Sequence, residues 1–213
     1  MRRTQLTLAI LLMAACSSPA GPSASTSGAS APATTATSSA SAFTSAAPPV
    51  TVGLEEFATD LTAPIAMVSP PGEQSTTYVV DQAGLVLPVT AGGVEQDKPC
   101  LDVRSDLVEL HQDRDDERGL LGLAFSPDFA ADQAVYVFRT VRAEKAGLSQ
   151  VNVLSRYRAD AACTSVDPDS EQEIWRLEQV MTSHAAGQLA FDADGRLLVF
   201  MGDGQNPEEA QDP

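Results

Sequence analysis

Basic residues are scarce in this chain. Lys and Arg together number 13 against 29 Asp and Glu, which gives a formal net charge of −16 over 213 residues. Because so acidic a surface repels phosphate backbones, the charge argues against nucleic acid as a partner. It also disfavours a broad electrostatic contact with anionic lipid.

The apolar run at the amino terminus is too short to span a bilayer as a helix. It extends from Leu6 to Ala15, follows Arg2 and Arg3, and ends at Cys16. A basic start, a short apolar run and small residues before a cysteine resemble a bacterial lipoprotein signal. We predict that residues 1–16 are a lipoprotein signal peptide with Cys16 as the lipid attachment site. The alternative is an ordinary cleaved signal peptide that ends in cysteine.

The predicted signal implies export to the outer face of the cell membrane or the periplasm, with a lipid anchor as the only membrane contact. Of the three cysteines, Cys16 is then accounted for and Cys100 and Cys163 remain. Outside the cytoplasm two such cysteines tend to pair, so we predict a Cys100–Cys163 disulfide. Neither has Cys-x-x-Cys spacing, and we predict no metal site from the cysteines.

Residues 17–49 are almost wholly Ser, Ala, Thr, Pro and Gly, without a charged residue. Such a segment cannot bury enough apolar surface to offset the entropy of ordering, and we predict a disordered linker. The globular part is predicted over residues 50–213.

Long helical periodicity is missing from residues 50–213, apart from one possible helical turn at Asp106 to Leu110. Short runs rich in Val, Leu, Ile, Tyr and Phe alternate with turn residues, as in an all-β protein. These runs are residues 65–68, 78–80, 85–87, 121–125, 134–141, 151–157 and 174–177. The segment would hold three to four propeller blades of about 40–50 residues each. We therefore expect an incomplete propeller, with a complete β-sandwich as the alternative.

One predicted hairpin brings a histidine to a carboxylate. Its strands flank the turn residues 192–195. If that loop is symmetric, Phe191 pairs with Arg196 and His184 lies directly opposite Asp203. If the turn has two residues, Asp203 becomes a diagonal neighbour of His184. A carboxylate beside an imidazole orients the ring and stabilises its protonated form, as a general base requires.

The other histidine, His111, lies among polar and charged residues and is interpreted as a solvated loop residue. His184 and Asp203 are therefore the candidate catalytic residues. From geometry alone, a chance His–Asp pair is the favoured interpretation.

Residues 116–129, with the sequence DERGLLGLAFSPDF, resemble a signature of the glucose/sorbosone dehydrogenase family. The resemblance continues through Val135 to Val137, through HAAGQLAF at 184–191, and at GDG in 202–204. The family includes soluble aldose sugar dehydrogenases and the propeller of hedgehog-interacting-type proteins.

The resemblance implies a six-bladed propeller that binds pyrroloquinoline quinone (PQQ), usually with calcium. It implies oxidation of an aldose sugar at its anomeric carbon and transfer of the electrons to an external acceptor. His184 falls on the family's catalytic base and Asp203 on the acid that supports it. Glu117 and Gln211 fall beside the cofactor. Glu117 replaces a glutamine of the soluble glucose dehydrogenases, and Ser183 replaces an aspartate.

The resemblance also implies that the basic residues that hold the quinone, and most calcium ligands, come from later blades. We therefore expect that this stretch by itself neither binds the quinone nor closes the propeller, and is inactive as a fragment. Two other functions stay open. One is a non-catalytic surface propeller that binds a carbohydrate or a protein, and the other is a calcium-dependent lactonase-type propeller.

Overall fold

The computed structural model describes the main chain of Ala9–Ile10 and residues 52–72, 75–90, 93–94, 98–111 and 116–205. Within these ranges the chain consists of short strands and one four-residue helix. The described residues include no helix with the length and apolar character needed to cross a bilayer.

Three sheets follow one another along the chain. The first sheet contains β2 (Pro64–Val68), β3 (Thr77–Asp81), β4 (Leu85–Thr90), β5 (Gly93–Val94) and β6 (Leu101–Asp102). The second contains β7 (Leu120–Phe125), β8 (Ala134–Val141), β9 (Gln150–Ala159) and β10 (Val166–Gln179). The third contains β11 (Ala186–Phe191), β12 (Leu197–Met201) and β1 (Ala9–Ile10). All pairs are antiparallel except β1 with β12, which is parallel.

The second sheet is covered on both faces, as its central strand β8 shows. Successive strand residues point to opposite faces. Val135 and Val137 belong to the core shared with the first sheet, whereas Tyr136 and Phe138 belong to the core shared with the third. A strand buried on both sides has no polar alternation, so its sequence is a nearly continuous apolar run.

Aromatic rings anchor both cores. Phe125 contacts Tyr78 of the first sheet, with ring centroids 5.3 Å apart, and Phe129 at 5.0 Å. On the other face Tyr136 meets Phe191 of the third sheet at 5.3 Å, nearly edge to face. Burying each such side chain stabilises the fold by roughly 1.5–3 kcal/mol. These rings therefore help to hold sheets that follow one another in the chain against each other.

The predicted strands are present, with β8 at the predicted bounds. The predicted helical turn at Asp106 to Leu110 is wrong, because Leu107 instead makes a bridge to Val141. The helix, α1 (Phe129–Asp132), lies between β7 and β8 and ends at Gln133, whose φ is 53°. The side chain of Phe129 is buried in the first core, which holds this turn against the sheet.

Stacked antiparallel sheets, each entered through its innermost strand, are the arrangement of successive propeller blades. The described residues form two blades and the hairpin of a third, which is fewer than the predicted three to four. The second blade runs from β7 to β10 and is longer than 50 residues because β9 and β10 have 10 and 14 residues. The count of six blades stays a prediction, as does the signal peptide that includes Ala9–Ile10.

Candidate functional site

The β11–β12 hairpin changes register once. Near the turn Phe191 pairs with Leu197, which is one position away from each of the two registers predicted from the sequence. Between Ala186 and Leu189 strand β11 carries one extra residue, and beyond this bulge Ala186 pairs with Met201. Without the bulge, His184 would lie opposite Gly204 instead of Asp203.

The bulge brings together the two predicted catalytic residues just beyond the strand ends. Nδ1 of His184 lies 2.6 Å from Oδ1 of Asp203. Because an ionised carboxylate only accepts hydrogen bonds, Nδ1 donates and carries the proton. In the neutral ring the lone pair is then on Nε2. The imidazole side chain is 53% exposed, so a substrate could reach it.

The contact shifts both pKa values in opposite directions. The hydrogen bond to Asp203 raises the pKa of His184, and the charge of the nearby Glu117 acts in the same sense. The hydrogen bond from His184, followed by one from the main-chain N–H of Gln205, lowers the pKa of Asp203. Asp203 is therefore ionised at neutral pH and stabilises the imidazolium form of His184.

Glu117 reaches the site from the segment that precedes β7. Its carboxylate accepts a hydrogen bond from the main-chain N–H of His184. His184 has a φ of 56°, in the left-handed region that non-glycine residues seldom adopt. On its other side the carbonyl oxygen of His184 accepts the N–H of Gly204 at 3.3 Å. Hydrogen bonds thus fix the peptide groups on both sides of His184.

A buried ion pair flanks Glu117. Arg118 Nη2 lies 2.6 Å from the Asp116 carboxylate, and both side chains are at most 6% exposed. Burial tends to raise the pKa of Asp116, but bonds from Arg118 and from the main-chain N–H of His111 hold it well below its usual range. The signature residues on either side of Glu117 therefore serve to place it.

Buried amides support the Asp203 turn from below, and sequence reasoning did not identify them. Gln179 Oε1 accepts bonds from Gln150 Nε2 at 2.8 Å and Asn152 Nδ2 at 2.9 Å. Gly204 packs on this group, since a Cβ there would be 2.5 Å from Gln179 Nε2. The one feature of the sequence that could have indicated Gln150 and Asn152 is their alternation with apolar residues along the strand.

The remaining predicted site residues lie elsewhere or outside the described ranges. Gln211 and Cys16 belong to residues that the structure does not describe. Ser183 precedes the base and is half-buried. The Sγ atoms of Cys100 and Cys163 lie 2.7 Å apart in the core between the first and second sheets. The structure records the two as free buried thiols, so their disulfide stays a prediction.

A cleft of about 700 Å³ opens between the innermost strands β2, β7 and β11. Ile65 and Met67 of β2 line it and are 45% and 62% exposed. Neither His184 nor Glu117 is among its lining residues. The candidate base therefore lies at the end where β7 and β11 begin, and the cleft runs along the inner strands.

The described residues fit a proton-accepting role better than a cofactor-holding one. The site presents one imidazole and two carboxylates, whereas PQQ is itself a polycarboxylate that needs cationic partners. Arg118, which follows Glu117 in sequence, is buried against Asp116. Within the described ranges no group of three or more His, Cys, Asp or Glu could hold a metal ion.

Comparison with known proteins gives the family. Residues 62–213 match the profile of the family described as Glucose / Sorbosone dehydrogenase. Among curated proteins, the hedgehog-interacting proteins of Mus musculus and Homo sapiens are each 26% identical over 155 residues. The match covers 71% of this chain but only 22% of either relative.

Solved structures share the fold. The soluble aldose sugar dehydrogenase of Escherichia coli, in its apo form, superposes with a TM-score of 0.58 at 20% identity, over 71% of this chain and 41% of that one. The PQQ-bound aldose sugar dehydrogenase of Streptomyces coelicolor gives 0.51 at 23% identity, over 68% and 39%. The chain thus spans about two fifths of these structures, and by its profile match over residues 62–213 it belongs to the glucose/sorbosone dehydrogenase family.

Proposed function

We propose that this protein oxidises an aldose sugar at its anomeric carbon, with PQQ as the hydride acceptor and His184 as the general base. The observation that carries the proposal is the 2.6 Å contact between His184 and Asp203 at the position where the family resemblance places the base. Family membership supplies the reaction class, and the hairpin supplies a chemically competent proton acceptor.

In this mechanism Asp203 holds the imidazole by Nδ1 and leaves Nε2 to accept the proton of the anomeric hydroxyl. As the proton arrives, the ionised Asp203 stabilises the imidazolium that forms. Loss of this proton from the hydroxyl oxygen, together with loss of hydride from the anomeric carbon, converts the aldose to its lactone. When bound, PQQ would supply the two-electron acceptor for this hydride, and an external acceptor would reoxidise it.

The described residues supply the base and its support. Binding of the anionic quinone, and of any calcium, is assigned to residues outside the described ranges. This division agrees with the share of the solved structures that the chain covers, about two fifths.

The proposal is tested by dye reduction with sugar, PQQ and calcium in the full-length protein. The His184→Ala variant should lose about 10²–10⁴-fold in kcat, the usual contribution of a general base. His111→Ala is the matched control, because it removes the other histidine of the chain and should keep full activity. Undiminished turnover of the His184→Ala variant would rule the mechanism out.

A second candidate is a surface propeller that binds a carbohydrate or a protein without catalysis. It is favoured by Glu117 and Ser183, which stand where the soluble glucose dehydrogenases carry a glutamine and an aspartate. The names of the curated relatives point the same way. Titration of the full-length protein with PQQ, followed by absorbance, separates the two, because only the dehydrogenase should saturate. No feature of the described residues favours the lactonase alternative.

We also propose that the protein is exported and held at the membrane by a lipid on Cys16. The support is the sequence of residues 1–16. Labelling with a radioactive fatty acid should mark the wild-type protein and leave Cys16→Ser unlabelled and released. Equal labelling of both would remove this assignment.

A further inference from the structure

We propose that Glu117 is a positioning residue for His184: its carboxylate fixes the main chain of the base and its charge acts on the imidazole. This inference deepens the proposed function and rests on it for its consequences in catalysis. It departs from the family resemblance, which places position 117 beside the cofactor.

The first support is the bond itself. The N–H of His184 points to the Glu117 carboxylate, and the carbonyl of His184 receives the N–H of Gly204 at 3.3 Å. A residue with a φ of 56° keeps that conformation only where its surroundings hold it. Because the main chain sets the direction of the ring, Glu117 also sets where Nε2 lies.

The second support is the rigid main chain on both sides of Glu117. Asp116 and Arg118, on either side, form a buried ion pair. Gln82 Nε2 donates to the carbonyl oxygens of both residues, at 2.5 Å and 2.8 Å. Gly119, which follows, packs so closely that a Cβ would be 2.3 Å from the Gln82 carbonyl oxygen. The carboxylate is therefore presented from a rigid stretch of chain.

The third support is the set of charges around the imidazole. Asp203 faces it from the end of β12 and Glu117 faces it from the segment before β7. Arg118, the cation next in sequence, is neutralised by Asp116. Both facing carboxylates raise the pKa of His184, Asp203 more than Glu117. A glutamine at 117 would keep an acceptor for the N–H but remove one of the two charges.

The test is an NMR titration of the imidazoles in the full-length protein. A His184→Gln variant identifies the signal of His184. We expect Glu117→Gln and Glu117→Ala each to lower the pKa of His184, because each removes one of the two negative charges that favour the imidazolium. The matched control is Glu144→Gln, which removes an exposed glutamate on the β8–β9 loop and should leave the titration unchanged.

Kinetics of the full-length protein provide the second measurement. Glu117→Gln should retain kcat within about twofold at high pH, since its amide oxygen still accepts the N–H. Glu117→Ala should lose about tenfold or more in kcat, because a misplaced base reacts slowly, with the Kd for PQQ unchanged. Glutamine at position 117 should thus preserve the kcat that alanine lowers.

Two outcomes overturn the inference. One is an unchanged titration of His184 in both variants. The other is weaker PQQ binding by Glu117→Ala with kcat preserved at saturation. That result would assign Glu117 to cofactor binding instead. If wild-type protein oxidises no sugar at all, the proposed dehydrogenase function fails, and the titration alone decides whether Glu117 acts on His184.

Discussion

The main chain of Gly122 on β7 lies against the carbonyl oxygen of Gly187 on β11. A Cβ at position 122 would be 2.0 Å from that oxygen, and a Cβ at 187 would be 2.6 Å from Leu121 Cβ. The innermost strands of the second and third blades therefore meet through glycine. Gly187 lies in the bulge that sets the register of His184, so the contact between blades also sets the distance from Glu117 to the base.

Replacing Gly122 by alanine should push these strands apart. Overpacking of this kind typically costs about 1–3 kcal/mol, and a main-chain oxygen cannot move aside as a side chain could. We expect a lower urea midpoint and weaker sugar oxidation. Gly53→Ala is the control, because no atom lies within 4 Å of a Cβ there. Equal midpoints for the two variants would show that the contact is not tight.

Replacing Asp203 by asparagine should return the pKa of His184 toward its ordinary value of about 6.5. The raised pKa comes first from the hydrogen bond to Asp203, which asparagine weakens by removing the charge. A base must be neutral to accept a proton, so the acid limb of kcat/KM should move to lower pH while the maximum falls. Asp194→Asn, at the turn end of the same hairpin, is the control.

The same pair predicts how stability changes with pH. A histidine whose pKa is raised by folding contributes stability that is complete below its unfolded pKa of about 6.5 and is lost as the pH rises through the folded pKa. Wild-type protein should therefore lose some stability above about pH 6.5, and Asp203→Asn should lose less. Urea unfolding from pH 5 to 9 measures both, and parallel curves would contradict the prediction.

Removing Arg118 should be far more costly than removing an exposed arginine. Arg118→Met leaves the buried Asp116 without its cation, at a cost of about 3–5 kcal/mol. Arg104→Met is the matched control, because its pair with Asp102 is exposed and screened by solvent, so its loss should leave the free energy of unfolding nearly unchanged. Similar unfolding free energies for the two variants would contradict this assignment.

Acid sensitivity provides a further measurement of the Asp116–Arg118 pair. The lowered pKa of Asp116 means that its contribution is present above the ordinary value of about 3.9 and is lost as the pH falls through the lower folded pKa. Without Arg118, burial raises the pKa of the carboxyl, so acid unfolding should begin at higher pH than in wild type. An unchanged acid midpoint would argue against the pair.

Oxidised protein should contain no titratable thiol from Cys100 and Cys163 after denaturation, tested in a Cys16→Ser background. Their buried sulfur atoms are adjacent, and the proposed export would bring the chain into oxidising conditions. Reduction should then lower the free energy of unfolding by about 2–4 kcal/mol, as for a typical disulfide. A Cys100→Ser, Cys163→Ser variant should not respond to reductant. Two thiols per chain in the oxidised sample would refute the disulfide.

The strand pattern was predictable because burial leaves a local trace in the sequence. β8 is buried on both faces and appears as an unbroken apolar run, so its bounds followed directly. β10 was found only at residues 174–177, because its first half is acidic and exposed at the edge of the sheet. Edge strands with charged side chains give little hydrophobic signal.

Residue type and spacing alone determined that this chain is built of short strands and that a single hairpin carries both His184 and Asp203. Only the tertiary structure decided that Glu117 holds the main chain of the base and that the Asp116–Arg118 pair holds Glu117. The reason is that pairing within a hairpin follows from neighbouring residues, whereas contacts between blades depend on how whole sheets pack. One extra residue in β11 shifts the pairing by one position, so that Asp203 instead of Gly204 lies opposite His184, and no local pattern in the sequence predicts it.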